Sequence, residues 1–112
     1  MKNLVGIEAS SGKILWKSEW PGKVAVIPTP IYADNHVYIS SGYGVGCKLV
    51  ELGKSTPVDV YENKVMKNHH GGVIKFGDYL YGYSDGYGWV CQNFKDGELK
   101  WNEKKALGKG AI

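Results

Sequence analysis

The stretch Gly6-Ile7-Glu8-Ala9-Ser10-Ser11-Gly12-Lys13-Ile14-Leu15-Trp16 returns near the C-terminus as Cys91-Gln92-Asn93-Phe94-Lys95-Asp96-Gly97-Glu98-Leu99-Lys100-Trp101. Gly12 and Gly97 stand 85 positions apart, and so do Trp16 and Trp101. Each copy reads as a strand, a polar turn closed by glycine, and a second strand carrying tryptophan. Glycine enters the left-handed region at little steric cost, which a turn of this kind needs. The large aromatic on the returning strand serves as a packing anchor. A chain that repeats such a hairpin must build one kind of unit more than once.

Taken in order, Leu4 to Ala9 and Lys13 to Ser18 form the first hairpin. Trp20-Pro21-Gly22-Lys23 is a turn, with Pro fixing φ and Gly relaxing it. Ala25 to Tyr32 reads as extended, although Pro28 and Pro30 lack backbone donors. Asp34-Asn35 turns the chain, and His36 to Ser40 returns. Ile31 to Tyr38 then matches Ile74 to Tyr81 at an offset of 43. Allowing one inserted residue, Gly42-Tyr43-Gly44 matches Gly86-Tyr87-Gly88, and Cys47 matches Cys91, at an offset of 44. The 85-residue spacing is therefore two periods, and the middle copy lies near Lys48 to Tyr61, with Tyr61 where Trp would stand.

A period of roughly 40 to 50 residues with four short strands in each is the pattern of propeller blades. The sequence predicts an all-β fold of four-stranded antiparallel blades: a half-blade at 1–20, full blades at 24–63 and 68–104, and the start of another at 108–112. About two and a half blades cannot close a ring. Composition agrees, since 16 Gly and 8 Tyr in 112 residues, with 22% charged residues, suit a turn-rich globular β protein. The net charge of +3 is spread over scattered lysines, with no basic stripe to follow a phosphate backbone. The N-terminus carries no signal-peptide pattern, and no apolar run approaches the ~18 residues of a membrane span.

Ser11-Gly12-Lys13-Ile14-Leu15-Trp16 and Gly97-Glu98-Leu99-Lys100-Trp101 resemble the Trp-docking repeat of the PQQ-repeat, quinoprotein-like β-propeller family. Asn68-His69-His70-Gly71-Gly72 and Tyr81-Gly82-Tyr83-Ser84-Asp85-Gly86 look like a bacterial branch of it. The resemblance covers nearly the whole chain and implies docking roles for Trp16, Trp101, Gly12 and Gly97. It implies an extracytoplasmic or periplasmic parent protein. The dehydrogenases of this family hold PQQ and calcium in an axial funnel, with a vicinal disulfide and a catalytic Asp among calcium ligands. This sequence has no Cys-Cys pair and no prominent acidic cluster, so no cofactor is expected for it.

The candidate binding residues are His69, His70, Tyr43 and Tyr87. Neighbours on a strand point to opposite faces, so His69 and His70 can act together only from a loop. The blade reading puts them at the funnel rim, beside turns carrying Tyr43 and Tyr87, with Trp20 a further member. Such an aromatic surface with polar tips suits sugars, peptides or an aromatic cofactor. The Gly42–Gly46 run lacks the spacing and following helix of a phosphate loop. Cys47 and Cys91 are expected to be buried, unlinked thiols, being a blade apart. No catalytic or metal-ligating set stands out.

The favoured function is non-catalytic: a scaffold, or a ligand- or protein-recognition segment of a larger propeller. The alternative is a segment of a PQQ-dependent dehydrogenase, with PQQ and calcium. The expected partners are further blades of a parent protein and a ligand at the funnel face, with no nucleic acid and no membrane span. Trp16 and Trp101 are expected to be buried between sheets, and the isolated chain to self-associate by edge pairing and stacking.

Overall fold

The computed structural model describes residues 3–53 and 55–112. Among them are ten strands and no helix: β1 Asn3–Ile7, β2 Ile14–Glu19, β3 Ile31–Ala33, β4 His36–Ser41, β5 Gly46–Glu51, β6 Val58–Asn63, β7 Val73–Phe76, β8 Tyr79–Ser84, β9 Gly88–Asn93 and β10 Leu99–Glu103. They form three antiparallel meanders: a first sheet β1-β2, a second β3-β4-β5-β6 and a third β7-β8-β9-β10. The segment expected to be extended from Ala25 pairs only at its end, as β3. Pro28 and Pro30 cannot donate to a ladder, so pairing begins at Ile31.

The repeated hairpin is repeated in backbone geometry. In the first copy Gly12 N–H donates to Glu8 O at 2.8 Å and Glu8 N–H to Lys13 O at 2.8 Å. In the last, Gly97 N–H donates to Asn93 O at 3.1 Å and Asn93 N–H to Glu98 O at 2.8 Å. Gly12 and Gly97 have φ of 74° and 73°. In that region a side chain is disfavoured, which is why glycine recurs there. The middle copy replaces this turn with the longer loop after Glu51, yet keeps its place in the ladder. Trp16 pairs with Gly6, Tyr61 with Leu49, and Trp101 with Cys91.

This register corrects the offset-44 alignment. The row Ile31-Tyr38-Leu49-Tyr61 crosses the second sheet, and Ile74-Tyr81-Cys91-Trp101 crosses the third. Cys91 is therefore the counterpart of Leu49, not of Cys47. Ser41 pairs with Gly46 whereas Ser84 pairs with Gly88, so the extra residue sits in the first of the two turns. Tyr87, just before Gly88, corresponds to Val45 and not to Tyr43. Both thiols are nevertheless buried and free.

The sheets stack in series, and alternation along each strand decides what meets what. Val37, Ile39 and Val50 join Leu4 and Trp20 in a core between the first and second sheets. From the opposite face of the second sheet, Tyr38, Cys47 and Leu49 join Met66, Leu80, Val90 and Phe94 in a core against the third. The middle sheet is thus covered on both faces, and β4 and β5 are buried almost throughout. Fully burying one such aliphatic side chain contributes about 1.5–3 kcal/mol.

Polar side chains fix the second stack. Gln92, with no exposed surface, accepts from Tyr38 Oη at 3.0 Å through Oε1. Its Nε2 donates to Gly97 O at 2.8 Å and to Asn63 Oδ1 at 3.2 Å. Tyr61 Oη donates to Phe94 O at 3.0 Å, and its ring lies where a Cβ on Gly97 would fall, at 2.6 Å from Cδ2. The docking aromatic thus covers the glycine turn of the following sheet. Trp16 is half-buried against the first core and over its own Gly6. Trp101 departs from expectation and is 50% exposed. Among the described residues no sheet lies over its face of the third sheet.

Candidate functional site

The last residue of β6, Asn63, pairs with Cys47 near the start of β5, while Val73 opens β7 opposite Gly82 near the end of β8. The chain must therefore cross between the two sheets at the end that carries the β4–β5 and β8–β9 turns. That crossing, residues 64–72, holds the histidines. Asn63 Oδ1 accepts from Val65 N–H at 3.0 Å and starts the turn. Ser84 Oγ accepts from Lys67 N–H at 2.9 Å and donates to Val65 O at 2.8 Å. Asn68, fully buried, donates through Nδ2 to Tyr83 O at 3.0 Å. The crossing is therefore sewn to β8 immediately before His69.

After that anchor the backbone is free of strand alternation. His69 and His70 lie on the same side, their rings stacked 9° from parallel at 4.3 Å between centroids. Gly71 and Gly72 follow with φ of 82° and 81°, which releases the chain into β7. Tyr43, at φ 55°, places its ring 4.3 Å from that of His69 with a 60° tilt. Gly42 makes this approach possible, since a Cβ there would lie 3.0 Å from His69 Cα. His69 Nδ1 is 3.5 Å from Asp85 Oδ2, and Lys109 Nζ is 3.4 Å from Asp85 Oδ1. Tyr43, His69 and His70 make one ledge, rimmed by Asp85 and Lys109.

The other two expected members lie elsewhere. Tyr87 is half-buried against the core between the second and third sheets, with Lys67 Nζ 5.1 Å from its ring centre. It follows from the register, since Val45 at the corresponding position packs against the first core. Trp20 is 1% exposed and donates from Nε1 to Ser41 Oγ at 3.0 Å. It closes the first stack and lies outside the Tyr43–His69–His70 group.

A hollow that no sequence pattern announces lies beside the first stack. It measures about 790 Å³ and is lined by Asn3, Glu19, Trp20, Pro21, Gly22, Lys48, Asp59 and Glu62. The Lys48 side chain is 4% exposed, with Nζ 2.7 Å from Asp59 Oδ2 and 3.0 Å from Glu19 O. Its one trace in the sequence is a lysine inside the apolar strand Cys47-Lys48-Leu49-Val50. Lys48 spends its donors on the protein, stitching β5 to β2 and β6, so the hollow is better explained as the flank of a thin first sheet. A second hollow of about 410 Å³ runs beside β1, between Leu4 and Val5 and the Val26–Pro30 segment. It follows the side of β1 that pairs with no strand.

The ledge presents flat π faces with ring nitrogens and a phenol at the edges, the chemistry of sugar, peptide or aromatic-ring recognition. Among the described residues no three His, Cys, Asp or Glu side chains gather as a metal-holding group. Burial pushes the Tyr38 phenol and the Cys47 thiol above their ordinary values, which keeps both neutral and inert. Among the described residues no helix is long and apolar enough to cross a membrane. No known family model matches the chain, and no curated protein matches it.

Proposed function

We propose that this chain is a non-catalytic scaffold and ligand-recognition segment of a larger, extracytoplasmic β-propeller protein of the PQQ-repeat type. The observation that carries the reading is the serial stack. Three antiparallel sheets are packed one after another, and Tyr61, in the cross-strand row that the second sheet turns toward the third, covers the Gly97 turn there. Repeats of this kind bury a core only by stacking on neighbours, which is a scaffold's task. The recognition role rests on the Tyr43–His69–His70 ledge, at the end of the sheets where the crossing loops gather.

The test is a ¹⁵N-HSQC titration of the chain with oligosaccharide and short-peptide panels, and separately with PQQ plus calcium. The reading expects shifts confined to residues 42–44 and 68–72 with a sugar or peptide, lost in Tyr43→Ala. A saturable response to PQQ with calcium would favour the dehydrogenase alternative instead. Shifts that avoid the ledge with every compound would overturn its role.

A further inference from the structure

The third sheet exposes one broad apolar face. Ile74 (47%), Phe76 (77%), Tyr79 (38%) and Trp101 (50%) stand open on it. Its central row, Ile74-Tyr81-Cys91-Trp101, occupies the same ladder positions as Ile31-Tyr38-Leu49-Tyr61 of the second sheet. That second row is the one the third sheet covers. The open face is thus the donor side of an interface the molecule already makes once internally.

The receiving side is open at the other end of the chain. In the third sheet Val90, Gln92 and Leu99 face the second sheet. Their counterparts 85 positions earlier are Val5, Ile7 and Ile14, exposed by 39%, 54% and 48%. Val5 and Ile7 alternate with Leu4 and Gly6, which face the second sheet, so they point away from it. The docking slot is open too. A Cβ on Gly97 would strike the Tyr61 ring, whereas one on Gly12, in the same turn at the same φ, would meet nothing within 4 Å.

We propose that copies of this chain associate head to tail, the Trp101 face of one seated on the Val5–Ile7–Ile14 face of the next. Trp101 of one copy covers Gly12 of its neighbour as Tyr61 covers Gly97 within the chain. For the 112-residue chain by itself a second copy is the fitting occupant, because both halves of the interface, and the empty slot, belong to this one sequence; in the longer propeller proposed above, adjoining blades take the same two faces. Such a contact is heterologous, so it extends into rings or filaments and does not stop at a symmetric pair.

Sedimentation velocity of the 112-residue chain over a wide concentration range tests this, with Trp101→Ala and Ile7→Lys as variants and circular dichroism to check folding. The wild type is expected to form concentration-dependent species beyond the dimer. Each variant alone is expected to be monomeric, with self-affinity reduced roughly 30-fold or more, as for loss of a buried aromatic anchor. Mixed together, the two retain one intact donor face and one intact receiving face, and are expected to form a dimer and nothing larger. A monomeric wild type, association unaffected by either variant, or a mixture that stays monomeric would each overturn the proposal.

Discussion

Replacing Gln92 by Leu tests whether the second and third sheets are held in register by the buried polar cluster. The substitution keeps the volume roughly constant but removes an acceptor and a donor from a site with no exposed surface. Gly97 O retains the Asn63 Nδ2 donor at 3.0 Å, and Asn63 Oδ1 retains Val65 N–H. Tyr38 Oη, by contrast, loses the Oε1 acceptor at 3.0 Å and stays buried. An orphaned buried hydroxyl costs about 1–3 kcal/mol, and the weakened hold on Asn63 and Gly97 adds part of another bond. The expected loss is about 2–3 kcal/mol. Tyr38→Phe alone is expected to cost about 1–2 kcal/mol, because Gln92 Oε1 keeps only the Cys47 thiol at 3.6 Å. In the double variant no phenol remains to be orphaned, so the combined loss is expected to fall short of the sum by about 1 kcal/mol or more. Urea unfolding at one fixed, low protein concentration measures all four proteins, since association would otherwise add to stability. Additive losses, or a neutral Gln92→Leu, would refute the coupling.

Gly97→Ala is expected to lower stability by more than 2 kcal/mol, as it adds a clash with the Tyr61 ring 2.6 Å away to the left-handed strain. Gly12→Ala, with the same φ and open space, carries the strain alone, about 1–2 kcal/mol; thermal denaturation of both compares them. Burial raises the folded-state values of Cys47 and Tyr38 above ordinary values of 9.0 and 10.0. Their stabilisation is therefore complete below pH 9 and lost as pH rises past those ordinary values, where the unfolded chain ionises first. Urea midpoints from pH 7 to 11 are expected to fall above pH 9, and less so in Cys47→Ala relative to its own neutral-pH value. Native Cys47 and Cys91 are expected to resist a thiol reagent that labels both in urea.

How legible the molecule was in its sequence depended on how local each signal was. The hairpin around Gly12 and its return at Gly97 could be read because a left-handed turn demands glycine and both turns make the same backbone bonds. Tyr61 as the stand-in for Trp could be read for the same reason, since its ladder position survives a longer loop. Register across the β4–β5 turn could not. Gly-Tyr-Gly occurs at both turns, and the eye pairs the tripeptides, whereas the ladder pairs Gly46 with Gly88. That single slip misplaced Cys47 against Cys91 and made Tyr43 and Tyr87 look like twins. At the candidate site, the sequence places His69 and His70 in the connection between two repeats, and there they lie. Their stacking depended on Asn68 and Ser84 pinning the crossing, which no pattern in the sequence announces. The burial of Lys48 is not legible in the sequence, because a lone lysine in a strand reads as surface until a partner such as Asp59 is seen.

The central claim is that the sheets dock in series, with Tyr61 of the second over the Gly97 turn of the third. Proton NMR of the chain tests it at Gly97, where a Cβ would fall 2.6 Å from Tyr61 Cδ2. The account predicts strong nuclear Overhauser effects between the Tyr61 ring protons and the Gly97 α protons, with the latter displaced from ordinary glycine shifts by the ring current and restored in Tyr61→Leu. Gly97 α protons at ordinary glycine shifts, with no cross-peaks to Tyr61, would contradict it.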